Sequence, residues 1–122
     1  MTKNLSFQYG VQLDNIEQIT NIFWADSRMV IDYANFGDVV TFDTTYGTNK
    51  ERRPLGVFTG FNHHRGLMVF GAVLLYDETT ESFKWLFERF LVAHAGKMPK
   101  TIFIDQDLAM AKALNEVMLN TY

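Results

Sequence analysis

At 122 residues the chain suits one domain with one modest core, and its 48% hydrophobic and 15% aromatic content excludes an intrinsically disordered polymer. It has no cysteine, which excludes disulfides and any zinc site built on thiolates. A formal charge of −3 supplies no global positive field, so contact with nucleic acid would need a local patch. No apolar run reaches the length of a membrane span, and the opening Met1-Thr2-Lys3-Asn4-Leu5-Ser6 lacks the apolar core of a signal peptide. The expectation is an intracellular chain with no membrane partner.

Phe7, Tyr9, Val11 and Leu13 alternate with Gln8, Gly10, Gln12 and Asp14, the period of a half-buried strand. Asp14-Asn15 supplies turn chemistry, and Ile19 to Trp24 reads as the returning strand of a hairpin. Asp26 or Ser27 can cap a short helix that Gly37 ends. Asp38 to Tyr46, Leu55 to Phe61 and Leu67 to Tyr76 follow as strands, joined by the polar stretch from Gly47 to Pro54 and by the turn Asn62-His63-His64-Arg65-Gly66. The last of these strands is almost wholly apolar, which predicts a strand covered on both faces.

Asp77 to Thr80 offers caps for a further helix. Phe83, Leu86, Phe87, Phe90 and Leu91 then recur at helical offsets until Gly96 and Pro99 stop the pattern. Thr101 to Ile104 is a short apolar strand. Asp107 is placed to cap a last helix with Ala111, Leu114 and Met118 on one face. A helix between consecutive strands implies a crossover. If it returns the Thr101–Ile104 strand beside the strand holding Asp43, the two run parallel. The reading is α/β, with a partial ribonuclease H-like order β-β-β-α-β-α preceded by a hairpin and a short helix.

Asp43 interrupts the strand-like run Val39-Val40-Thr41-Phe42-Asp43-Thr44-Thr45-Tyr46. Aspartate is depleted in strands, and a buried carboxylate without a partner is costly. Asp105 ends the run Thr101-Ile102-Phe103-Ile104-Asp105. Two readings stay open. In one, the two carboxylates share Mg²⁺ ions, which favour oxygen ligands, and support two-metal chemistry on a phosphodiester. In the other, Asp43 accepts hydrogen bonds from threonine or backbone groups and Asp105 helps to start the last helix.

Phe23-Trp24-Ala25-Asp26, Phe36-Gly37-Asp38-Val39-Val40, Phe42-Asp43-Thr44-Thr45-Tyr46 and Thr48-Asn49-Lys50 occur in that order. They are followed by Asn62-His63-His64, Glu81-Ser82-Phe83-Lys84-Trp85-Leu86-Phe87 and Asp105-Gln106-Asp107. Together these stretches, covering nearly the whole chain, resemble the transposase-derived domain of the far-red impaired response family of plants. That domain is itself similar to Mutator-like element (MULE) transposases. The resemblance implies a ribonuclease H-like core, here residues 37–122 behind an N-terminal unit of residues 1–36. It also implies an Asp-Asp-Glu set for which Asp43 and Asp105 match the first two acids and would hold Mg²⁺ or Mn²⁺. The third acid lies further on in the family, and the family's zinc-binding domains have no counterpart in a chain without cysteine.

Other residues take plainer readings. Asp107 reads as a helix cap and Glu116 as part of a solvated helix face. His63 and His64 read as an exposed turn, because adjacent residues rarely converge on one ion. Lys50, Arg52, Arg53 and Arg65 could touch phosphate, but Glu51 interrupts them, and a solvated loop is the simpler reading. Trp24, Trp85 and the phenylalanines are expected to pack the core, with Trp85 at the edge of its helix stripe and open to a partner.

The resemblance thus implies a domesticated transposase-like domain of a plant nuclear transcriptional regulator, without catalysis by this chain. DNA would be a partner through parts absent from this sequence, and homo- or heterodimerisation is implied as well. The alternatives are a portion of a metal-dependent DDE DNA transposase, or a decayed fragment with no independent role.

Overall fold

The computed structural model describes residues 8–13, 19–46, 53–104 and 107–118. Strands β1 (Gln8–Leu13) and β2 (Ile19–Ala25) precede helix α1 (Ser27–Phe36). Strands β3 (Val39–Tyr46), β4 (Pro54–Phe61) and β5 (Leu67–Leu74) follow. Helix α2 (Thr80–Ala93), strand β6 (Thr101–Ile104) and helix α3 (Leu108–Val117) complete the order. The expected hairpin forms, with Tyr9 opposite Trp24 and Val11 opposite Ile22.

The helices start where short polar side chains satisfy free amides. Asp26 Oδ1 accepts from the Met29 amide at 2.9 Å, Thr79 Oγ1 from Ser82 at 3.2 Å, and Asp107 Oδ1 from Met110 at 2.9 Å. Gly37 ends α1, its amide donating to the Tyr33 carbonyl at 2.9 Å. At the end of α2, Ala95 and Gly96 both adopt positive φ, 59° and 82°, and the Gly96 amide returns to the Leu91 carbonyl at 2.7 Å.

The strands form one mixed six-stranded sheet of order β1-β2-β5-β4-β3-β6. β3, β4 and β5 make an antiparallel meander, and β2 joins the hairpin to β5, also antiparallel. The crossover through α2 returns β6 to the outside of β3, where the pair runs parallel. One irregularity sits in β5. Phe58 pairs with Gly71 and Thr59 with Val69, so Phe70 is an extra, bulged residue without a register partner.

Side chains alternate between the two faces of a sheet. One face carries Phe23, Val40, Phe42, Phe58 and Val73, all buried, and it receives all three helices. Phe58 stacks on Phe90 with ring centroids 3.9 Å apart and lies 4.5 Å from Phe42, which meets Phe87 edge-on at 5.7 Å. Tyr33 brings α1 onto Phe70 and Phe90, and Met110, Ala113 and Met118 bring α3 into the same core.

The opposite face has no helix on it among the described residues. Leu67 is 66% exposed, and Val39, Phe61 and Phe103 are exposed too. The inward positions of β5 are packed by helices. Of its outward positions, Ala72 is buried, Val69 and Leu74 are half-buried and Leu67 is exposed, with no helix over them among the described residues.

Candidate functional site

β3 and β6 set the geometry of the two singled-out acids. Val40 pairs with Ile102 and Phe42 with Ile104, in parallel register. Asp43 follows Phe42 directly in the sequence, as Asp105 follows Ile104. Asp43 pairs with Val57 across β4 and points to the open face, where it is exposed. The cost of a buried carboxylate, which made this residue conspicuous in a strand, does not arise, because Asp43 is exposed. Asp105 lies outside the described residues, so the Asp43–Asp105 pair as a Mg²⁺ or Mn²⁺ site is left as a sequence expectation. Among the described residues, no group of three or more His, Cys, Asp or Glu side chains is placed to hold a metal ion.

The remaining candidates resolve into structural roles. Asp107 caps α3, as its position suggested. Glu116 is exposed and pairs with Lys84 of α2 at 3.3 Å. His63 and His64 occupy an exposed turn closed by Asn62, whose Oδ1 accepts from the amides of His64 at 2.8 Å and Gly66 at 2.9 Å. His63 also lies edge-on to Phe36, with centroids 5.1 Å apart. Of the basic residues, Lys50 and Arg52 lie outside the described residues and Arg65 is exposed. Arg53 is committed internally: it donates to the carbonyls of Leu75, at 3.2 Å, and Thr20, and lies over the Tyr76 ring. Its guanidinium ties the ends of three strands together, so it is not a phosphate contact.

The tryptophans divide. Trp85 is half-buried against the core, at the edge of the α2 stripe as expected. Trp24 does not pack the core. It sits half-buried on the open face, in one row with Ala72, Val57 and Asp43.

Two polar positions escaped the sequence reading. Asn21 is 1% exposed, and its Oδ1 accepts from the Tyr76 amide at 2.7 Å while its Nδ2 donates to Gln12 and to Ser82. Ser82 Oγ donates in turn to Asp77 at 2.7 Å. Burial opposes ionisation of Asp77, but hydrogen bonds from Ser82 and from the Thr79 hydroxyl and amide outweigh it and lower its pKa. His94, at the end of α2, is also buried. Its Nε2 lies 2.8 Å from the Phe70 carbonyl, and only an Nε2–H can donate there. Burial pushes its pKa down to about 4, helped by the nearby Lys97 charge and opposed by the bond to Phe70. The outward–inward alternation of β1 and β2 could have flagged Asn21, which falls on the inward side. Nothing local distinguishes His94 from a surface residue of the helix end.

The sequence profile of the MULE transposase domain matches residues 39–122. The chain is 41% identical over 119 residues, 98% of its length, to Protein FAR-RED IMPAIRED RESPONSE 1 of Arabidopsis thaliana. It is 39% identical over 120 residues to Protein FAR1-RELATED SEQUENCE 7, and 42% identical over 117 residues to Protein FAR1-RELATED SEQUENCE 12, of the same plant. It spans 14%, 16% and 15% of the lengths of these three relatives. No solved structure matches it. A mixed α/β sheet over the profile-matched residues and a likeness that runs through nearly every element lead to one assignment: the chain belongs to the MULE transposase domain family, alongside the FAR-RED IMPAIRED RESPONSE proteins of plants.

Proposed function

We propose that this chain is a domesticated transposase-like domain of a plant transcriptional regulator that works in the nucleus, providing a folded scaffold and partner contacts and not cutting DNA itself. The observation that carries this reading is its likeness, over 98% of its length, to FAR-RED IMPAIRED RESPONSE 1. The fold reading is a partial ribonuclease H-like core. Its support is the strand order β5-β4-β3-β6, a meander followed by a crossover to a parallel neighbour. DNA binding belongs, in this reading, to other parts of the longer proteins.

One observation favours a second reading, a portion of a metal-dependent DDE transposase. Phe42 and Ile104 are register partners on adjacent parallel strands, and each is followed in the sequence by an aspartate. Such a pair would hold Mg²⁺ or Mn²⁺ and polarise a phosphodiester or activate a hydroxyl.

The test is a reporter assay in plant cells with the chain tethered to a promoter, run beside a divalent-dependent DNA-nicking assay. The regulatory reading expects altered reporter output that Asp43→Asn together with Asp105→Asn leaves intact, and no nicking. A silent reporter with Mn²⁺-dependent nicking that the double variant abolishes would establish the enzymatic reading instead.

A further inference from the structure

β1 is one edge of the sheet, and among the described residues β2 is its only neighbour. Every second residue of an edge strand turns its backbone N–H and C=O away from the sheet, where they can pair with a further strand. Charges, proline or short length commonly blunt such an edge. The run Gln8–Leu13 has no charged residue and no proline, and its register with β2 is regular over residues 8–12. The opposite edge, β6, has four residues.

A groove runs between that edge and α2. On the helix side of β1, Gly10 lies against the Arg89 guanidinium, which a Cβ at this position would strike. Gln12 is the next residue on the same side, opposite Asn21. Around it open two adjoining hollows of about 230 and 300 Å³ that share Gln12 and Glu81. Lys84, Trp85 and Glu88 complete the lining of the first, and the second continues past Leu13 to Tyr76 and Asp77. Glu81, Trp85 and Glu88, at offsets of four and seven, share one flank of α2. Both glutamates are exposed, and Trp85 is half-buried.

The charge of the groove selects what can fill it. Asp77, Glu81 and Glu88 form no ion pair among the described residues. Asp77 takes its hydrogen bonds from Thr79 and Ser82 at Oδ1, which leaves Oδ2 open to an outside donor. Lys84, the cation of the lining, is drawn to Glu116 at 3.3 Å. Tyr76, 63% exposed, and Trp85 add aromatic rings, whose faces attract cations. A strand added outside β1 would send alternate side chains, about 7 Å apart, to the α2 side of the sheet, over Glu81, Trp85 and Glu88. Lysine and arginine suit those positions. Two copies joined edge to edge through β1 would instead bring both sets of carboxylates to one seam, so charge disfavours a second copy.

We propose that the free edge of β1 and the groove beside it bind an extended segment of another protein that carries lysine or arginine at alternate positions. The segment pairs its backbone with β1 and sets its cations on Asp77, Glu81 and Glu88, against Trp85. The site gives the partner contacts of the regulatory reading a place and a chemistry, and it rests on that reading for its biological role alone. Binding is measured without transcription, so the two fail separately.

The probe is a fluorescein-labelled peptide of alternating lysine and threonine, titrated with the purified chain at physiological salt and followed by anisotropy. The expected result is saturable binding that the matching glutamate–threonine peptide does not show. Glu81→Gln with Glu88→Gln, both at exposed positions, should keep the thermal melt of the parent and weaken binding about tenfold. Asp32→Asn with Asp38→Asn removes the same charge elsewhere and should change binding by less than about twofold. In a Trp24→Phe background, the emission of Trp85 should change along the same curve. Amide exchange over residues 8–12 should slow as the peptide binds. Absence of binding overturns the proposal, and so does binding that both double variants weaken equally, the mark of attraction to net charge alone. Binding without slowed exchange in β1 places the peptide elsewhere and overturns it too. A chain that self-associates in the same range, with β1 protected before peptide is added, overturns it in favour of a second copy as the occupant.

Discussion

Phe42 and Ile104 face each other across the parallel pair β3–β6, both turned towards the helices, and each is followed in the sequence by an aspartate. Alternation along β3 then sends Asp43 to the opposite, solvent-facing side of the sheet. The arrangement ties a packed aromatic core to an exposed acid by a single peptide unit. It separates two environments that the sequence run Phe42-Asp43-Thr44 presents together: Phe42 is packed in the core, and Asp43 is exposed on the open face.

Asp43→Asn should accordingly alter the unfolding free energy by no more than about 0.5 kcal/mol, the range of an ordinary surface substitution. Adding excess Mg²⁺ should leave the melting temperature of the parent where it was, because a ligand that binds only the folded state must raise it. A Mg²⁺-dependent rise that disappears in Asp43→Asn would return the carboxylate to metal binding.

Periodicity made most of the architecture legible. The alternation of β1, the stripe Phe83-Leu86-Phe87-Phe90 and the capping residues Asp26 and Asp107 each report a local physical requirement, and each appears where expected. A helix between β5 and β6 implies a crossover but not its landing place; β6 runs parallel to β3 because the crossover returns it there. What covers a face is different information. The apolar run of β5 is equally compatible with helices on two sides or one, because hydrophobicity records the need for burial and not the identity of the cover. The bulge at Phe70 was illegible for a related reason: an extra residue changes register without changing composition. Asp43 was conspicuous as an acid in a strand, yet its exposure depends on that unreadable face.

The buried amide of Asn21 shows what the fold demands at a position that strand patterning would assign to a hydrophobe. Its oxygen accepts from the Tyr76 amide just beyond β5, and its nitrogen links β1 to the first turn of α2 through Gln12 and Ser82. Asn21→Leu keeps the branching at Cγ but leaves the Tyr76 donor without its acceptor. The expected loss is about 1–3 kcal/mol, read by urea titration with an unchanged m value. A neutral or stabilised variant would mean that water replaces the amide, and that the link between hairpin and helix is dispensable.

Gly56 is set by packing. A Cβ built there would lie 2.6 Å from Phe42 Cζ and 2.9 Å from Val73 Cγ1, both in the buried core. Neither neighbour is a flexible chain end, since Phe42 is held between Phe58 and Phe87. Gly56→Ala should therefore cost about 1–3 kcal/mol by overpacking, despite the better strand propensity of alanine. Thermal melts of the parent and variant decide it, and an unchanged melting temperature would show that the aromatic cluster yields easily.

His94 makes stability depend on pH over a window set by its own burial. Its Nε2–H serves the bulged Phe70 carbonyl, its ring lies against Tyr33 at 4.1 Å and Phe90 at 4.6 Å, and its Nδ1 has no hydrogen-bond partner among the described residues. A proton added at Nδ1 would place a charge inside an aromatic cluster, close to the Lys97 ammonium. The folded pKa is about 4, against an ordinary value of 6.5, so the unfolded chain binds the proton more tightly. Stability from this residue is therefore complete above pH 6.5 and is lost as pH falls from 6.5 towards 4. The full loss is on the order of 3 kcal/mol at about 1.4 kcal/mol per unit. The low pKa of Asp77 acts below its ordinary value of 3.8, so its acid loss falls beneath this window. Urea titrations of the parent and His94→Leu at a series of pH values separate the contributions. The variant should start less stable at neutral pH, having lost the bond to Phe70, and its stability should fall less between pH 6.5 and 4. Parallel profiles for the two proteins would mean that His94 takes up its proton without disturbing the cluster.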